Sequence, residues 1–312
     1  MLTTDIKPST IKTYFMKIIQ EPQELQNYCL QLRRDNRIIG FVPTMGYLHD
    51  GHLSLMKQCR SLCDVLIVSI YVNPLQFGPN EDLDRYPRDL DGDLQKCTEE
   101  NVDVVFTPRE MYHPNHSTYV QVENLDKNLC GSSREGHFRG VTTVVARLFG
   151  LVQPQIAVFG EKDFQQLAIV RRMVQDLAMP IEIIAGKIVR EPSGLAMSSR
   201  NRYLQKEEKI QAQSISESLF WAQKYCSEQS TSIPTNILLE EIQKRLRVDS
   251  IDYISIVDPI SLETISHVEK NARCAIAVWV GNTRLIDNVL LELASLGLHK
   301  DNSVVESKEI LS

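Results

Sequence analysis

Eight consecutive residues, Val65-Leu66-Ile67-Val68-Ser69-Ile70-Tyr71-Val72, are almost continuously apolar. A strand with one wet face alternates apolar and polar residues. A run without alternation fits a strand buried on both faces, as in the interior of a parallel sheet. Parallel neighbours need a crossover connection, and the chain supplies one. Upstream, Ile38-Ile39-Gly40-Phe41-Val42 reads as the neighbouring strand. Between the two, Leu55, Met56, Cys59, Leu62 and Cys63 recur at three- and four-residue steps, one face of a helix running to about residue 63. Strand, helix, strand is a βαβ unit, and it sets the class as α/β.

The alternation continues on both sides. Residues 1 to about 20 read as an extension ending in an apolar stretch over 15–19. A first helix follows over 22–34, with Pro22 suited to its first turn. Later helices are expected around 89–100, 141–152 and 163–178, with strands at 102–106, 156–159 and 181–185. Such alternation implies a Rossmann-like, doubly wound parallel sheet with helices on both faces. Ligands in open sheets of this kind bind beyond the C-terminal strand ends, so the loops after Val42, Val72 and Phe159 should converge. Beyond about 188 the pattern changes to helices at 205–227 and 235–247 and three strand-like runs at 251–257, 274–280 and 284–291. Their short connections favour an antiparallel sheet. The expected organisation is a first domain over 1–187 and a smaller C-terminal α+β domain over 188–312, ending in a polar tail from about 296.

Composition narrows the partners. The 312 residues are enough for two domains of ordinary size. A formal net charge of -6 argues against a dominant nucleic-acid partner, which would call for a basic excess or stripe. Seven cysteines, at positions 29, 59, 63, 97, 130, 226 and 274, form no Cys-x-x-Cys pair and no zinc spacing. They read as reduced thiols in a reducing compartment. No run approaches the roughly 18–20 apolar residues of a membrane span. Asp5 and Glu21, with no arginine before Arg33, make a poor leader, so the expected setting is cytoplasmic.

Between the first strand and its helix lies Pro43-Thr44-Met45-Gly46-Tyr47-Leu48-His49-Asp50-Gly51-His52, with His52 at or near the first helical residue. Backbone N–H groups at a helix N-terminus lack partners and carry partial positive charge, so they favour a phosphate. Gly46 and Gly51 let the backbone approach a ligand without a Cβ in the way. His49 and His52 can both donate hydrogen bonds to phosphate oxygens. Ordinary loop chemistry also uses such residues. The whole ten-residue string, however, resembles the signature of the pantothenate synthetases (pantoate–β-alanine ligases), in the superfamily of nucleotidylyltransferases and class I aminoacyl-tRNA synthetases.

The resemblance extends through five later stretches. Asn73-Pro74-Leu75-Gln76-Phe77-Gly78 follows the second strand, and its Gln76 offers donors and acceptors together. The acidic stretch 82–93 reads by itself as a solvated, helix-capping face. His137-Phe138-Arg139-Gly140-Val141 follows a Gly- and Ser-rich run from Gly131, the composition of a mobile lid loop. Gly160-Glu161-Lys162-Asp163, then Gln165 and Gln166, stands at a third strand end, where a lysine can act as a point charge on phosphate. Met197-Ser198-Ser199-Arg200, after Val189-Arg190-Glu191 and Ser193-Gly194, offers two hydroxyls and a guanidinium as a compact phosphate grip.

What the resemblance implies is specific. It assigns Met45, Gly46, His49, Gly51, His52, Gly160, Glu161, Lys162, Asp163, Val189, Met197, Ser198, Ser199 and Arg200 to ATP. It assigns Gln76, Gln166, Asn73, Pro43 and Thr44 to pantoate or β-alanine. Asp93 becomes a candidate Mg²⁺ ligand, with Gly92 standing where many relatives carry a second carboxylate. His52, His49, Lys162 and Arg200 carry the catalytic part, by positioning and electrostatic stabilisation. The implied reaction joins pantoate to β-alanine through pantoyl adenylate, releasing pyrophosphate and AMP, with ATP as cosubstrate and Mg²⁺ as metal. The resemblance also implies a homodimer, while the charge and the absence of a long apolar run lead to the expectation of no nucleic acid or membrane partner. Two other readings remain at this stage: a nucleotidylyltransferase or tRNA-synthetase-like enzyme with another acceptor, and a non-catalytic nucleotide-binding protein. Gln76 and Gln166 speak against the first, and the presence of Lys162, His52 and the Ser-Ser-Arg run against the second. The chain has no P-loop, no G-x-G-x-x-G fingerprint and no zincin helix.

Overall fold

The computed structural model describes residues 16–79 and 81–294. Phe15 and the tail from 296, both named above, lie outside the described residues. The first part of the chain runs β1 (Lys17–Ile19), α1 (Pro22–Arg34), β2 (Ile39–Thr44), α2 (Asp50–Arg60), β3 (Val65–Ile70), α3 (Leu90–Glu99) and β4 (Val104–Phe106). It continues with the one-turn α4 (Cys130–Ser133), then α5 (His137–Val152), β5 (Ile156–Gly160), α6 (Phe164–Asp176) and β6 (Glu182–Gly186).

These six strands form one sheet in the order β1-β4-β3-β2-β5-β6, with every pairing parallel. Ile39, Phe41, Val65 and Ile67 bury against α1, α5 and α6 on one face. Val42, Leu66 and Val68 bury against Leu55, Met56 and Cys59 of α2 and Cys97 of α3 on the other. The period-two alternation thus distributes an unbroken apolar run over two cores, as expected for a doubly wound sheet. Strand order reverses between β2 and β5. That reversal opens a crevice at their C-terminal ends.

The rest comprises α7 (Lys206–Ser227), β7 (Ile233–Pro234), α8 (Thr235–Arg245), β8 (Ser250–Val257), β9 (His267–Val268), β10 (Asn271–Val280) and β11 (Thr283–Glu292). An antiparallel sheet, ordered β11-β10-β8, packs on α7 and α8 around its own core of Leu219, Leu238, Ile242, Ile276 and Val278. A smaller shared cluster, including Phe138, Phe164, Val257 and Ala275, joins this unit to the parallel sheet. Among the described residues, no helix is long and apolar enough to cross a membrane.

Three expectations need correction. The stretch 17–19 is not merely an extension: β1 pairs in parallel with β4 and forms one edge of the sheet. Its short length and exposed Lys17 and Ile18 hide it from pattern reading. The run 137–141 is not a lid loop, because it opens α5, with His137, Phe138, Gly140 and Val141 all buried. Pro43 and Thr44 belong to β2, so the turn begins two residues later than the sequence suggests.

Candidate active site

The site is built by four turns that meet at the crevice between β2 and β5. In the first, the chain leaves β2 through Met45 and Gly46 and enters α2 at Asp50, with His49 as its cap and His52 as its third residue. Gly46 has φ 85°, and a Cβ there would lie 2.9 Å from Ile70 Cγ2 and 3.0 Å from Asp93 Oδ2. Only glycine fits comfortably. Asp93 reaches across from α3. Its Oδ2 accepts the Tyr47 N–H at 2.7 Å and its Oδ1 accepts the Leu48 N–H at 2.6 Å. Burial pushes the Asp93 carboxyl above its ordinary value, against the pull of those two N–H groups.

The two histidines brace each other. His49 Nδ1 accepts the Gly51 N–H at 3.1 Å, and His52 Nδ1 accepts the His49 N–H at 3.3 Å. This is a reciprocal cap built from imidazoles instead of hydroxyl and carboxylate. With both Nδ1 atoms accepting, the neutral rings carry their protons on Nε2. Burial and then the Lys162 charge lower the His49 pKa to about 4. Burial, then His49 and Lys162, hold His52 well below the ordinary histidine value. Near neutral pH both are uncharged Nε2–H donors.

The second turn, after β3, carries Asn73 and Gln76 in a 3-10 turn packed on α5. Asn73 Nδ2 donates to Gln76 Oε1 and to Gly140 O, both at 3.1 Å, while its Oδ1 accepts the Tyr112 hydroxyl at 3.0 Å. Gly140 permits this approach: a Cβ there would lie 2.1 Å from Leu75 O. His137 supports the same turn. Arginine has no acceptor, so Arg134 Nη1 donates to His137 Nε2 at 2.9 Å, and His137 Nδ1–H donates to Gln76 O at 2.8 Å. Burial and the Arg134 charge lower the His137 pKa to about 4.

The third turn, Glu161–Asp163, joins β5 to α6. Lys162 Nζ lies 3.5 Å from Asp163 Oδ1, a loose pair that leaves the ammonium available. Gln165 and Gln166 diverge. Gln165 is buried and donates to Leu125 O and Asn128 O, whereas Gln166 faces the crevice.

The fourth turn follows a short hairpin closed by the Arg190–Ala196 bridge and by Met197 N–H to Val189 O at 2.9 Å. Ser198 Oγ caps the next turn by accepting the Arg200 N–H at 3.2 Å, and Ser199 Oγ donates to Tyr47 O at 3.2 Å. Arg200 is paired with Asp82. Burial pushes the Asp82 carboxyl up, but the Arg200 guanidinium outweighs it and holds the pKa below the ordinary value.

One cavity unites these turns. Pro43, Thr44, Met45, His49, Gly51 and His52 line it from the first, and Asn73 and Gln76 from the second. Gly160, Lys162, Asp163 and Gln166 line it from the third, and Val189, Met197, Ser198, Ser199 and Arg200 from the fourth. Gly46, Glu161 and Asp93 are not on its wall. Arg134, His137, Tyr86 and Lys187 are, although sequence reasoning gave no part to Arg134, Tyr86 or Lys187. Only Arg134 left a signal, standing three residues before His137, which it contacts. Among the described residues, no group of three His, Cys, Asp or Glu side chains could hold a metal ion. Chemically, the cavity sets the neutral imidazole donors, the Lys162 ammonium, the Ser198 and Ser199 hydroxyls and the Arg200 guanidinium against the three carboxamides of Asn73, Gln76 and Gln166. That combination suits a polyanion beside a smaller polar ligand.

Comparison with known proteins places the chain in a family. The family model for pantoate-beta-alanine ligase matches residues 17–290. A pantothenate synthetase from Thermotoga petrophila is 51% identical over 282 residues, covering 88% of this chain and 100% of the relative. A pantothenate synthetase structure from Thermus thermophilus superposes with a TM-score of 0.82 at 45% identity, covering 88% of this chain and 99% of that one. A pantoate-beta-alanine ligase from Francisella tularensis, complexed with beta-gamma ATP and beta-alanine, superposes with a TM-score of 0.72 at 33% identity. Its coverage is 88% of this chain and 98% of its own. The chain belongs to the pantoate-beta-alanine ligase family.

Proposed function

We propose that the crevice between β2 and β5 activates the carboxylate of pantoate with ATP and passes the pantoyl group to β-alanine. The observation that carries this reading is the meeting of His49, His52, Lys162, Ser198, Ser199 and Arg200 with Gln76 and Gln166 on one cavity. The relative that holds beta-gamma ATP and beta-alanine supports the same ligands.

In the first step a pantoate carboxylate oxygen attacks the α-phosphorus of ATP. The bond from that phosphorus to the β-phosphate bridge breaks, and pyrophosphate leaves with the electron pair. In the second step the neutral amine of β-alanine attacks the acyl carbon of pantoyl adenylate. The acyl C–O bond breaks, AMP leaves, and the amine nitrogen gives up a proton. The substrate carboxylate is already a nucleophile, so no protein nucleophile is needed. His49 and His52 donate from Nε2 to phosphate oxygens, and Lys162, Ser198, Ser199 and Arg200 bind the charge that builds there. Met45, Gly46, Gly51, Gly160, Glu161, Asp163, Val189 and Met197 shape or support the nucleotide side. Gln76 and Gln166, with Asn73, Pro43 and Thr44, form the acid and amine side.

The magnesium implied by the family does not fit Asp93. Its two oxygens are taken by backbone N–H groups and the residue is 1% exposed. Magnesium then belongs to the nucleotide as substrate, and no step here runs through a protein-held ion. The part from 188 onward is proposed to act as a lid domain, supported by its separate core and by the Met197–Arg200 turn that it brings to the cavity. A homodimer is proposed from family membership, and the seven free thiols support a reducing, intracellular setting.

Pantoate labelled with ¹⁸O in its carboxylate tests the chemistry. The expected result is one labelled oxygen in the phosphate of the AMP released. AMP without label would sink the adenylate route.

A further inference from the structure

The group that holds the Lys162 turn comes from far along the chain. Asn288 of β11 is 2% exposed. Its Nδ2 donates to the carbonyl oxygens of Glu161 and Lys162, at 3.0 Å each. Both amide hydrogens therefore serve two successive backbone oxygens. The orientation is settled by Arg273 of β10, whose Nη1 donates to Asn288 Oδ1 at 3.1 Å. Arginine cannot accept, so only the amide nitrogen can face the two carbonyls. Arg273 is itself confined: its guanidinium lies 4.3 Å from the centre of the Phe164 ring and 4.0 Å from Glu161 Oε1.

The preceding residue does a parallel task. Asp287 accepts from Arg190 Nη1 at 2.6 Å and from Nη2 at 3.0 Å. Arg190 Nη1 also donates to Gly194 O at 3.1 Å, inside the hairpin that leads to Met197–Arg200. Successive side chains leave a strand on opposite sides. Two adjacent residues of β11 thus hold two of the four turns that form the cavity.

We propose that Asn288 is a positioning residue that sets the placement of Lys162 in the reaction. This rests on the reading that Lys162 acts on the nucleotide phosphates. The Lys162 backbone stands where a strand becomes a helix, and the peptide planes on either side of it are free to turn unless their carbonyls are held. Asn288 holds two of them, so the base of the lysine stem is fixed even though the stem itself is flexible. Without the amide, two carbonyls lose these donors, the turn relaxes, and the ammonium spreads over positions that no longer match the developing charge.

The test is a double-mutant cycle on the full chain. The variants are Asn288→Leu, Lys162→Ala and the pair, read by single-turnover pyrophosphate release from ATP and pantoate and by thermal unfolding. Asn288→Leu is expected to slow release by about ten- to a hundredfold. In the Lys162→Ala background the same substitution should have little further effect, because its path runs through the lysine. Asn288→Ser, smaller and keeping one donor, should give an intermediate rate, and it carries the test if the leucine variant does not fold. An equal slowing with and without Lys162 would overturn the inference, since it would mark a general structural role. So would an unchanged rate in folded Asn288→Leu. If Lys162→Ala itself left the rate unchanged, the reading of Lys162 would fail and take this inference with it. A normal Lys162→Ala loss with additive Asn288 effects would remove the inference alone.

Discussion

Arg200, on the cavity wall, forms a two-bond ion pair with Asp82, with Arg200 Nε to Asp82 Oδ2 at 3.0 Å and Nη2 to Oδ1 at 2.7 Å. The guanidinium also lies 5.7 Å from the centre of the Tyr86 ring. Asp82 uses one edge of the planar fork, which orients the remaining nitrogen for another anion. Asp82→Asn should therefore raise the KM for ATP by about tenfold, in the range lost when an orienting partner is removed. Arg200→Lys should do at least as much, because an ammonium cannot make the paired bonds. An Asp82→Asn enzyme with unchanged ATP dependence would contradict this role.

Asp93 separates a structural from a metal reading. The amide of Asp93→Asn would turn an N–H donor toward Tyr47 N–H or Leu48 N–H, or lose the charge assistance of both bonds. The expected cost is about 2 kcal/mol of stability for hydrogen bonds to a charged group. Chemical denaturation measures it directly. The magnesium dependence of the folded variant should match that of the parent. Intact stability with a shifted magnesium requirement would reverse the assignment.

The three lowered histidines make a pH prediction. The unfolded chain protonates these rings around the ordinary value of 6.5, while folded His49 and His137 resist until about pH 4. Their contribution is complete above the ordinary value and is lost as pH falls through this window, because the unfolded state then binds more protons. Urea unfolding at a series of pH values should show stability falling across it, and less steeply in His137→Gln. Turnover should show no titration near 6.5 that disappears in His49→Gln. Such a titration would mean that His49 works as a charged group.

Gly140→Ala probes the acid side. Its Cβ would meet Leu75 O at 2.1 Å and Gln76 N at 2.6 Å, both backbone atoms with little room to yield. Overpacking of this kind costs about 1–3 kcal/mol. It should also raise the KM for pantoate more than that for ATP, since the displaced turn carries Gln76. Equal effects on both substrates would argue that the turn has no selective part.

The parallel sheet was legible because its strands are short apolar runs separated by helical periodicity, as between Val42 and Val65. β1 was not, since three residues at an edge carry no period. The start of α5 was misplaced because Gly136 and Gly140 look like loop punctuation. In the fold, Gly136 occupies the left-handed region with φ 74°, and Gly140 lets a neighbouring turn pack closely. Residues of the four turns could be named from local wording, yet their supports could not. Asn288 meets Lys162 across 126 positions of sequence. Its only trace is a polar pair, Asp287-Asn288, interrupting the apolar run of a strand. The Arg134 pair with Glu81, 53 positions away, is hidden in the same way.

The most direct test of the proposed chemistry is to follow pyrophosphate and AMP from ATP with pantoate and β-alanine supplied separately and together. The expected result is a burst of pyrophosphate with pantoate alone and AMP turnover only once β-alanine is added. Pyrophosphate release indifferent to pantoate would contradict it and point to another acceptor.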